Sequence, residues 1–302
     1  MYCLFLNRFY KENMKQIILS SQFFNIVDTL ECGQVFRFKP FEKGFLSFSL
    51  DKCAYCYTDG ANTVIECEEK DKEYFENYFD IFRDYSKIYN SAIAENVEIL
   101  SKSATVGRGI RILNQDPVEA LFSFVVSQNN NIPRIKGIIE RLCEGLGEQK
   151  EFGKIKYYAF PSVEKMANAP LDFYKNIGLG YRAEYIKRLA QEIKNGLSIY
   201  GFKEYQTIEL KKKLIALHGV GPKVADCALL FGFHRSDAFP VDTWIEKVYI
   251  EDFGGSLTNR EKQAEYFVSR FKENSGYYQQ YLFHYKRIVE KNREKAQKDD
   301  KN

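Results

Sequence analysis

Leu214-Ile215-Ala216-Leu217-His218-Gly219-Val220-Gly221-Pro222-Lys223-Val224-Ala225-Asp226 is the stretch from which the architecture is read. A helix ends at Leu217, two glycines flank an apolar residue in a tight turn, and a proline opens the next helix, where its missing N–H is harmless. Gly219 and Gly221 let the backbone turn without a Cβ clash, and Val220 pins the turn to both helices. The N–H groups at the new helix's N-terminus are left exposed, which makes an anion site suited to a phosphate and blind to base sequence. Leu-x-Gly-Val-Gly-x-Lys-x-Ala is a helix–hairpin–helix signature. The plainer alternative is a packing corner between two helices.

Lys223 has three readings: a solvated cation, a phosphate contact, or a nucleophile. The positive end of a helix dipole disfavours a charged amine, and an amine that sheds its proton attacks electrophilic carbon. Nineteen positions downstream, Phe239-Pro240-Val241-Asp242-Thr243-Trp244-Ile245 places Asp242 at the N-cap of a further helix. A cap is the commoner role for such an aspartate. A carboxylate facing the lysine's target would also stabilise positive charge developing on a sugar ring.

Outward from the hairpin, the chain from about 111 keeps a 3.6-residue period. Asp116-Pro117 reads as N-cap and first helical position of a helix through Val126, a second helix runs from Ile132 to about Leu142, and others cover Ser162–Ala167, Asp172–Asn176, Arg182–Asn195, Glu209–Leu217, Pro222–Phe231, Thr243–Asp252, Arg260–Lys272 and Tyr277–Glu290. Before residue 110 the pattern is short, aromatic and β-branched: Gln22–Val27, Val35–Phe38, Phe45–Leu50, Ala54–Tyr57 and Thr63–Cys67, separated by turn formers such as Asp59-Gly60-Ala61-Asn62. The reading is α+β: an antiparallel domain over 1–110, a helical domain over 111–290, and a charged, frayed tail over 291–302.

Composition removes several classes. Of the 302 residues 44 are basic and 41 acidic, so a nucleic-acid partner has to be argued from local motifs rather than from net charge. The longest apolar stretches fall far short of the roughly 18 residues a membrane span needs. Met1-Tyr2-Cys3-Leu4-Phe5-Leu6 lacks the basic start and cleavage site of a signal peptide, and seven scattered cysteines suit a reducing compartment, so a cytoplasmic location is expected. Cys53-x-x-Cys56 is the one close cysteine pair and reads as structural, and the three histidines have no metal-ligand spacing.

Taken together the residues resemble the helix–hairpin–helix DNA glycosylase superfamily, and within it the 8-oxoguanine DNA glycosylase family, a bacterial-type member. Besides the hairpin and Pro-Val-Asp, the resemblance rests on Glu31-Cys32-Gly33-Gln34-Val35-Phe36-Arg37-Phe38, Ser127-Gln128-Asn129-Asn130-Asn131-Ile132-Pro133-Arg134-Ile135 and Gly178-Leu179-Gly180-Tyr181-Arg182-Ala183. It covers about residues 22–290 and implies an N-terminal antiparallel β domain, similar to half of the TATA-binding protein, followed by an all-α glycosylase domain. The iron–sulfur cluster of endonuclease III relatives needs four C-terminal cysteines, and the last cysteine here is Cys227. No cofactor or metal is expected.

The resemblance implies these roles. Lys223 attacks C1′ of the damaged nucleotide and forms a Schiff base; Asp242 stabilises the oxocarbenium-like transition state; β-elimination then cuts the strand in base excision repair. The carbonyl of Gly33 accepts from N7–H, which 8-oxoguanine has and guanine lacks. Phe283 and Cys227 sandwich the extruded base and Gln279 bonds its Watson–Crick edge. Asn129 fills the hole in the duplex, Arg134 and Arg182 read the orphaned cytosine, Tyr181 wedges the stack, and Gly219, Val220 and Gly221 hold a phosphate. Trp244 stands where eukaryotic members have a histidine near the lesion phosphate, and Pro133 stiffens the asparagine loop.

The expected partner is duplex DNA containing oxidised guanine, bound by a monomer in the nucleoid. Two other readings stay open. A helix–hairpin–helix glycosylase for alkylated bases or adenine would not need Lys223, and a non-catalytic hairpin module would need neither Lys223 with Asp242 nor the base-pocket set.

Overall fold

The computed structural model describes residues 13–299, with side chains described through 289; Met1–Glu12, including Cys3, and Asp300–Asn302 lie outside the described residues. The chain opens with β1 (Met14–Ser20) and a helix α1 (Ile26–Glu31), followed by β2 (Phe38–Phe41), β3 (Gly44–Ser49), β4 (Lys52–Asp59) and β5 (Asn62–Glu68). These form one antiparallel sheet in the order β1-β5-β4-β3-β2, with Ile17 opposite Ile65 and Cys56 opposite both Ile65 and Phe45. Side chains alternate between faces, as the pleat requires. Ala54, Cys56 and Ile65 pack with Phe24, Phe75 and Phe79 on one face, whereas Cys53, Tyr55, Tyr57 and Val64 pack with Phe152 and Tyr157 on the other. Cys53 and Cys56 therefore project to opposite sides of the sheet and cannot share a ligand.

Three parts of this region depart from the sequence reading. Val35–Phe38, expected as a strand, is irregular up to Arg37, and β2 begins only at Phe38, where pairing with β3 starts. Gln22–Val27, expected as a strand, is a 3₁₀ turn running into α1, because Ser20 and Asn25 accept hydrogen bonds from the N–H groups of Gln22 and Asp28. Local capping outweighs the aromatic run. The edge strand β1 was not foreseen, since Lys15 and Gln16 break its apolar pattern.

The helical part begins with α2 (Lys72–Tyr78), α3 (Tyr85–Ala94) and α4 (Glu98–Val106), then α5 (Pro117–Ser127) and α6 (Ile132–Leu146). Asp116 caps α5 as expected, accepting from Val118 N at 2.9 Å and Glu119 N at 3.0 Å, with Pro117 at the first position. A hairpin, β6 (Gln149–Phe152) and β7 (Ile155–Tyr158), reaches back to cover the first sheet. There follow α7 (Val163–Asn168), α8 (Leu171–Asn176), α9 (Arg182–Lys194), α10 (Thr207–Ile215), α11 (Pro222–Phe231), α12 (Thr243–Lys247), α13 (Arg260–Phe271) and α14 (Ser275–Asp299).

Beyond α12 the chain continues as a π-turn, Val248–Asp252, rather than as one α-helix. The run from Lys291, expected as a frayed tail, carries α14 on to Asp299. One continuous core joins α3–α14, and Cys32 and Phe36 from the sheet side enter it. The antiparallel sheet followed by a helical domain agrees with the fold read from the sequence.

Candidate active site

The hairpin between α10 and α11 sets the site. Gly219 has φ +82°, and a Cβ there would lie 2.3 Å from Tyr185 Cγ, so the turn requires glycine at that position. Gly221 differs from expectation: its φ of −88° suits any residue, and its Cβ position meets nothing within 4 Å. Its contribution is open space in front of the α11 N-terminus. Val220 is buried, with its N–H donating to Leu217 O at 3.1 Å.

Lys223, the second residue of α11, has its Nζ 5.7 Å from the centroid of the Phe124 ring. It lines a cavity of about 50 Å³ together with Gly33, Cys227, Asp242, Gln279 and Phe283. All six residues come from four separate segments. Asp242 caps α12, its Oδ1 accepting from Trp244 N and Ile245 N at 3.0 Å each. Burial raises its carboxyl above the ordinary range, and the bond from Ile245 N and the nearby Lys223 charge oppose that rise. Burial pushes the Cys227 thiol up to about 11, against the opposing pull of Lys223, so a neutral thiol faces the cavity.

Gln279 is buried, and its Nε2 donates to Pro240 O at 3.2 Å, which orients the amide and leaves Oε1 without a partner. Gly33, at φ +87°, sits in a turn held from several directions. Gln34 Nε2 donates to Thr29 O at 2.9 Å and to Arg111 O at 2.7 Å, and its Oε1 accepts from Leu113 N at 2.8 Å. Gln280 Nε2 donates to Cys32 O at 2.8 Å, and Arg287 Nη2 donates to Glu31 O at 2.5 Å. None of these bonds uses the Gly33 carbonyl. Sequence reasoning did not single out Gln34, Gln280 or Arg287; the one local signal was Arg287 four residues after Phe283, which places both on one helix face.

A second group lies around the asparagine loop. Asn129 is exposed with φ +45°, at the loop tip. Tyr181 is 52% exposed and Arg134 is exposed. Arg182, by contrast, is buried beneath the loop: Nε donates to Gln128 O at 2.7 Å, Nη1 to Leu179 O at 3.2 Å, and Nη2 to Asn129 O at 2.9 Å and to Gln128 O. Most of its guanidinium is therefore committed to shaping the loop. Gln128, another residue not singled out, donates to Gly219 O at 2.8 Å and so ties that loop to the hairpin.

Trp244 is not brought into the cavity beside Lys223; its ring lies 5.0 Å from Lys247 Nζ. A separate cavity of about 260 Å³ opens on the other side of Lys223, against Asp226, Asn259 and Arg260. A third, of about 340 Å³, lies between β2–β3, α6 and β7 and is lined by none of the expected site residues. Among the described residues no group of three or more His, Cys, Asp or Glu side chains is placed to hold a metal.

Residues 16–121 match the family model for the 8-oxoguanine DNA glycosylase N-terminal domain, and residues 122–273 match that for HhH-GPD superfamily base excision DNA repair proteins. The chain belongs to the 8-oxoguanine DNA glycosylase family. A probable N-glycosylase/DNA lyase of Methanothermobacter thermautotrophicus is 30% identical to this family member over 236 residues, 72% of this chain and 75% of that protein. The N-glycosylase/DNA lyase OGG1 of Arabidopsis thaliana is 33% identical over 189 residues, 58% of this chain and 52% of the plant protein, so that match spans about half of the relative. Among solved structures of the family, the Clostridium acetobutylicum 8-oxoguanine glycosylase/lyase in complex with duplex DNA containing cytosine opposite 8-oxoguanine superposes with a TM-score of 0.85. It is 34% identical, and the superposition covers 92% of this chain and 98% of that one.

Proposed function

We propose that this chain is a bifunctional DNA glycosylase and abasic-site lyase that excises 8-oxoguanine, preferably opposite cytosine, and then nicks the strand. The observation that carries this reading is the convergence of Gly33, Lys223, Cys227, Asp242, Gln279 and Phe283 on one cavity. The lesion leaves the stack to enter it. Cys227 and Phe283 hold the faces of the base, and the unpaired Gln279 Oε1 accepts from its Watson–Crick edge. The Gly33 carbonyl accepts from N7–H; with guanine it stays buried and unpaired, at about 1–3 kcal/mol.

In the chemical step the lone pair of the Lys223 amine forms a bond to C1′ as the C1′–N9 bond breaks and its electron pair leaves with the base. The ionised Asp242 carboxylate stabilises the positive charge on the sugar. The C1′–O4′ bond then breaks, O4′ takes up the proton that the attached nitrogen releases, and the nitrogen lone pair closes the C1′=N iminium of the opened sugar. Loss of the C2′ proton then feeds electrons into a C2′=C3′ bond, and the C3′–O bond breaks with the phosphate as leaving group. Water finally hydrolyses the iminium and frees the lysine.

On the DNA side, Asn129 fills the vacated position, Tyr181 wedges the stack and Arg134 reads the cytosine. Arg182 supports the loop from below and lends at most one remaining donor. The hairpin N–H groups at Gly219 and Gly221 hold a phosphate, and Val220, whose own N–H is spent on Leu217 O, pins the turn between them. Trp244 acts outside the base pocket. The monomeric state, the cytoplasmic, nucleoid-associated location and the division into β domain (1–110), glycosylase domain (111–290) and charged tail (291–302) belong to the same reading. No helix among the described residues is long and apolar enough to cross a membrane.

The test is incubation with duplexes carrying 8-oxoguanine opposite each of the four bases, with and without borohydride. Cleavage and trapping strongest opposite cytosine are expected, and Lys223→Gln should bind the lesion while losing trapping. Retained trapping in that variant would assign the nucleophile to another amine; binding without any cleavage by the wild type would refute catalysis.

A further inference from the structure

The base pocket is bounded by two elements that are held differently, the turn at Cys32 and Gly33 and the ring of Phe283. The Cys32–Gln34 side is buried and locked by the Gln34 amide, with bonds to Thr29 O at 2.9 Å, Arg111 O at 2.7 Å and Leu113 N at 2.8 Å, and by Gln280 on Cys32 O at 2.8 Å. Phe283, beside that turn, is only half-buried, and its ring is held by packing alone. A Cβ on Gly33 would lie 3.3 Å from Phe283 Cε1 and 3.4 Å from Arg287 Nη1, so ring, guanidinium and turn meet at one point.

Arg287 joins the ring to the turn. Its Cζ lies 5.5 Å from the Phe283 ring centroid, close enough for cation–π attraction, while Nη2 donates to Glu31 O at 2.5 Å. Its Nη1 is buried without a partner. Displacing the ring and the Nη1 side of the guanidinium therefore breaks no hydrogen bond, while the Nη2 bond keeps the turn tied to α14.

We propose that Arg287 is a specificity-setting positioning residue: it carries the Phe283 ring and anchors the Glu31–Gly33 turn, so that ring and Gly33 carbonyl stand in the register that one flat oxidised base requires. The inference rests on the reading of the pocket given above. It predicts a division between substrates, because a preformed abasic site has no base to place and reaches Lys223 without using this wall.

The experiment compares wild type with Arg287→Met, which keeps length and apolar bulk, and Arg287→Lys, which keeps the charge. Single-turnover excision of 8-oxoguanine opposite cytosine is measured beside borohydride trapping on a preformed abasic duplex. Arg287→Met should slow excision by about tenfold or more, as a misplacement of the reacting base does, with abasic trapping within about twofold of wild type. Arg287→Lys should recover part of the loss. Unchanged excision in Arg287→Met, or a parallel fall in trapping, would overturn the proposal; should that variant not fold, Arg287→Lys has to show the same division. Wild type that traps abasic DNA but never excises 8-oxoguanine would instead refute the underlying reading of the pocket.

Discussion

Gly33 concentrates the selectivity of the site in a single backbone position. Its φ of +87° excludes ordinary side chains, and an added methyl would press on Phe283 Cε1 at 3.3 Å. Gly33→Ala should therefore lower 8-oxoguanine excision by at least about tenfold while abasic trapping stays within about twofold, measured in parallel single-turnover assays. Asp226, three residues from Lys223, acts instead on stability. It is buried and paired with Lys211 at 2.8 Å, and burial pushes its carboxyl up from 3.8 to about 6. A raised folded-state value means that the fold favours the protonated form. The stability this group lends is complete below about pH 4 and is lost as pH rises through 6, a change of about 3 kcal/mol. Urea midpoints at pH 4 and pH 7 should show that loss in the wild type, and Asp226→Asn should flatten it.

At the scale of the element, the hairpin's two glycines do different things. Gly219 takes a left-handed turn against Tyr185, whereas Gly221 has ordinary dihedrals and open space before it. Gly219→Ala should destabilise the protein by roughly 1–3 kcal/mol in urea unfolding, because its Cβ lands on the near end of a packed ring. Gly221→Ala should leave that midpoint almost unmoved and weaken binding to undamaged duplex, since the methyl occupies the approach to the α11 N–H groups. Equal loss of stability in both variants would show that the turn needs both glycines for its conformation. The Gln128 bond to Gly219 O at 2.8 Å makes this hairpin and the asparagine loop one mechanical unit.

Across the whole molecule, one buried ion pair holds sheet and helices in register. Arg37 Nη1 meets Glu119 Oε1 at 3.0 Å and Leu50 O at 3.1 Å, Nη2 reaches Tyr158 O at 2.7 Å, and Leu50 N donates to Glu119 Oε2 at 2.6 Å. The strand turn, the start of α5 and β7 are thereby fastened at one point, and the same stretch continues into the Gly33 turn. Burial raises the Glu119 carboxyl, and Arg37 opposes that rise. Glu119→Ala leaves a buried guanidinium without its partner and should cost about 3–5 kcal/mol in urea unfolding. A loss under about 1 kcal/mol would mean that water reaches Arg37 in the variant.

The features legible in the sequence are those whose chemistry is local. Asp116 before Pro117, the glycine-bounded hairpin and Asp242 as a cap all act on N–H groups within a few residues, so their signals lie in short spacings. The Gln22–Val27 stretch was misread because an aromatic run resembles a strand until Ser20 and Asn25 are seen capping it. Roles for Gly33 and Phe283 came with the family resemblance, since residues 250 positions apart carry no mutual pattern. Gln34, Gln280 and Arg287 were silent because they grip backbone carbonyls, which any sequence supplies. Arg182 was expected to face the DNA and lies under the loop, because the carbonyls of Gln128 and Asn129 turn toward it only in the folded chain. The sequence by itself determined the domains' character, the nucleophile's helix and the carboxylate's cap, all products of short-range hydrogen bonding and periodicity. Which side chains share the pocket, and which of its walls is tied down by hydrogen bonds, the tertiary structure alone decided, because both depend on packing between segments that meet only on folding.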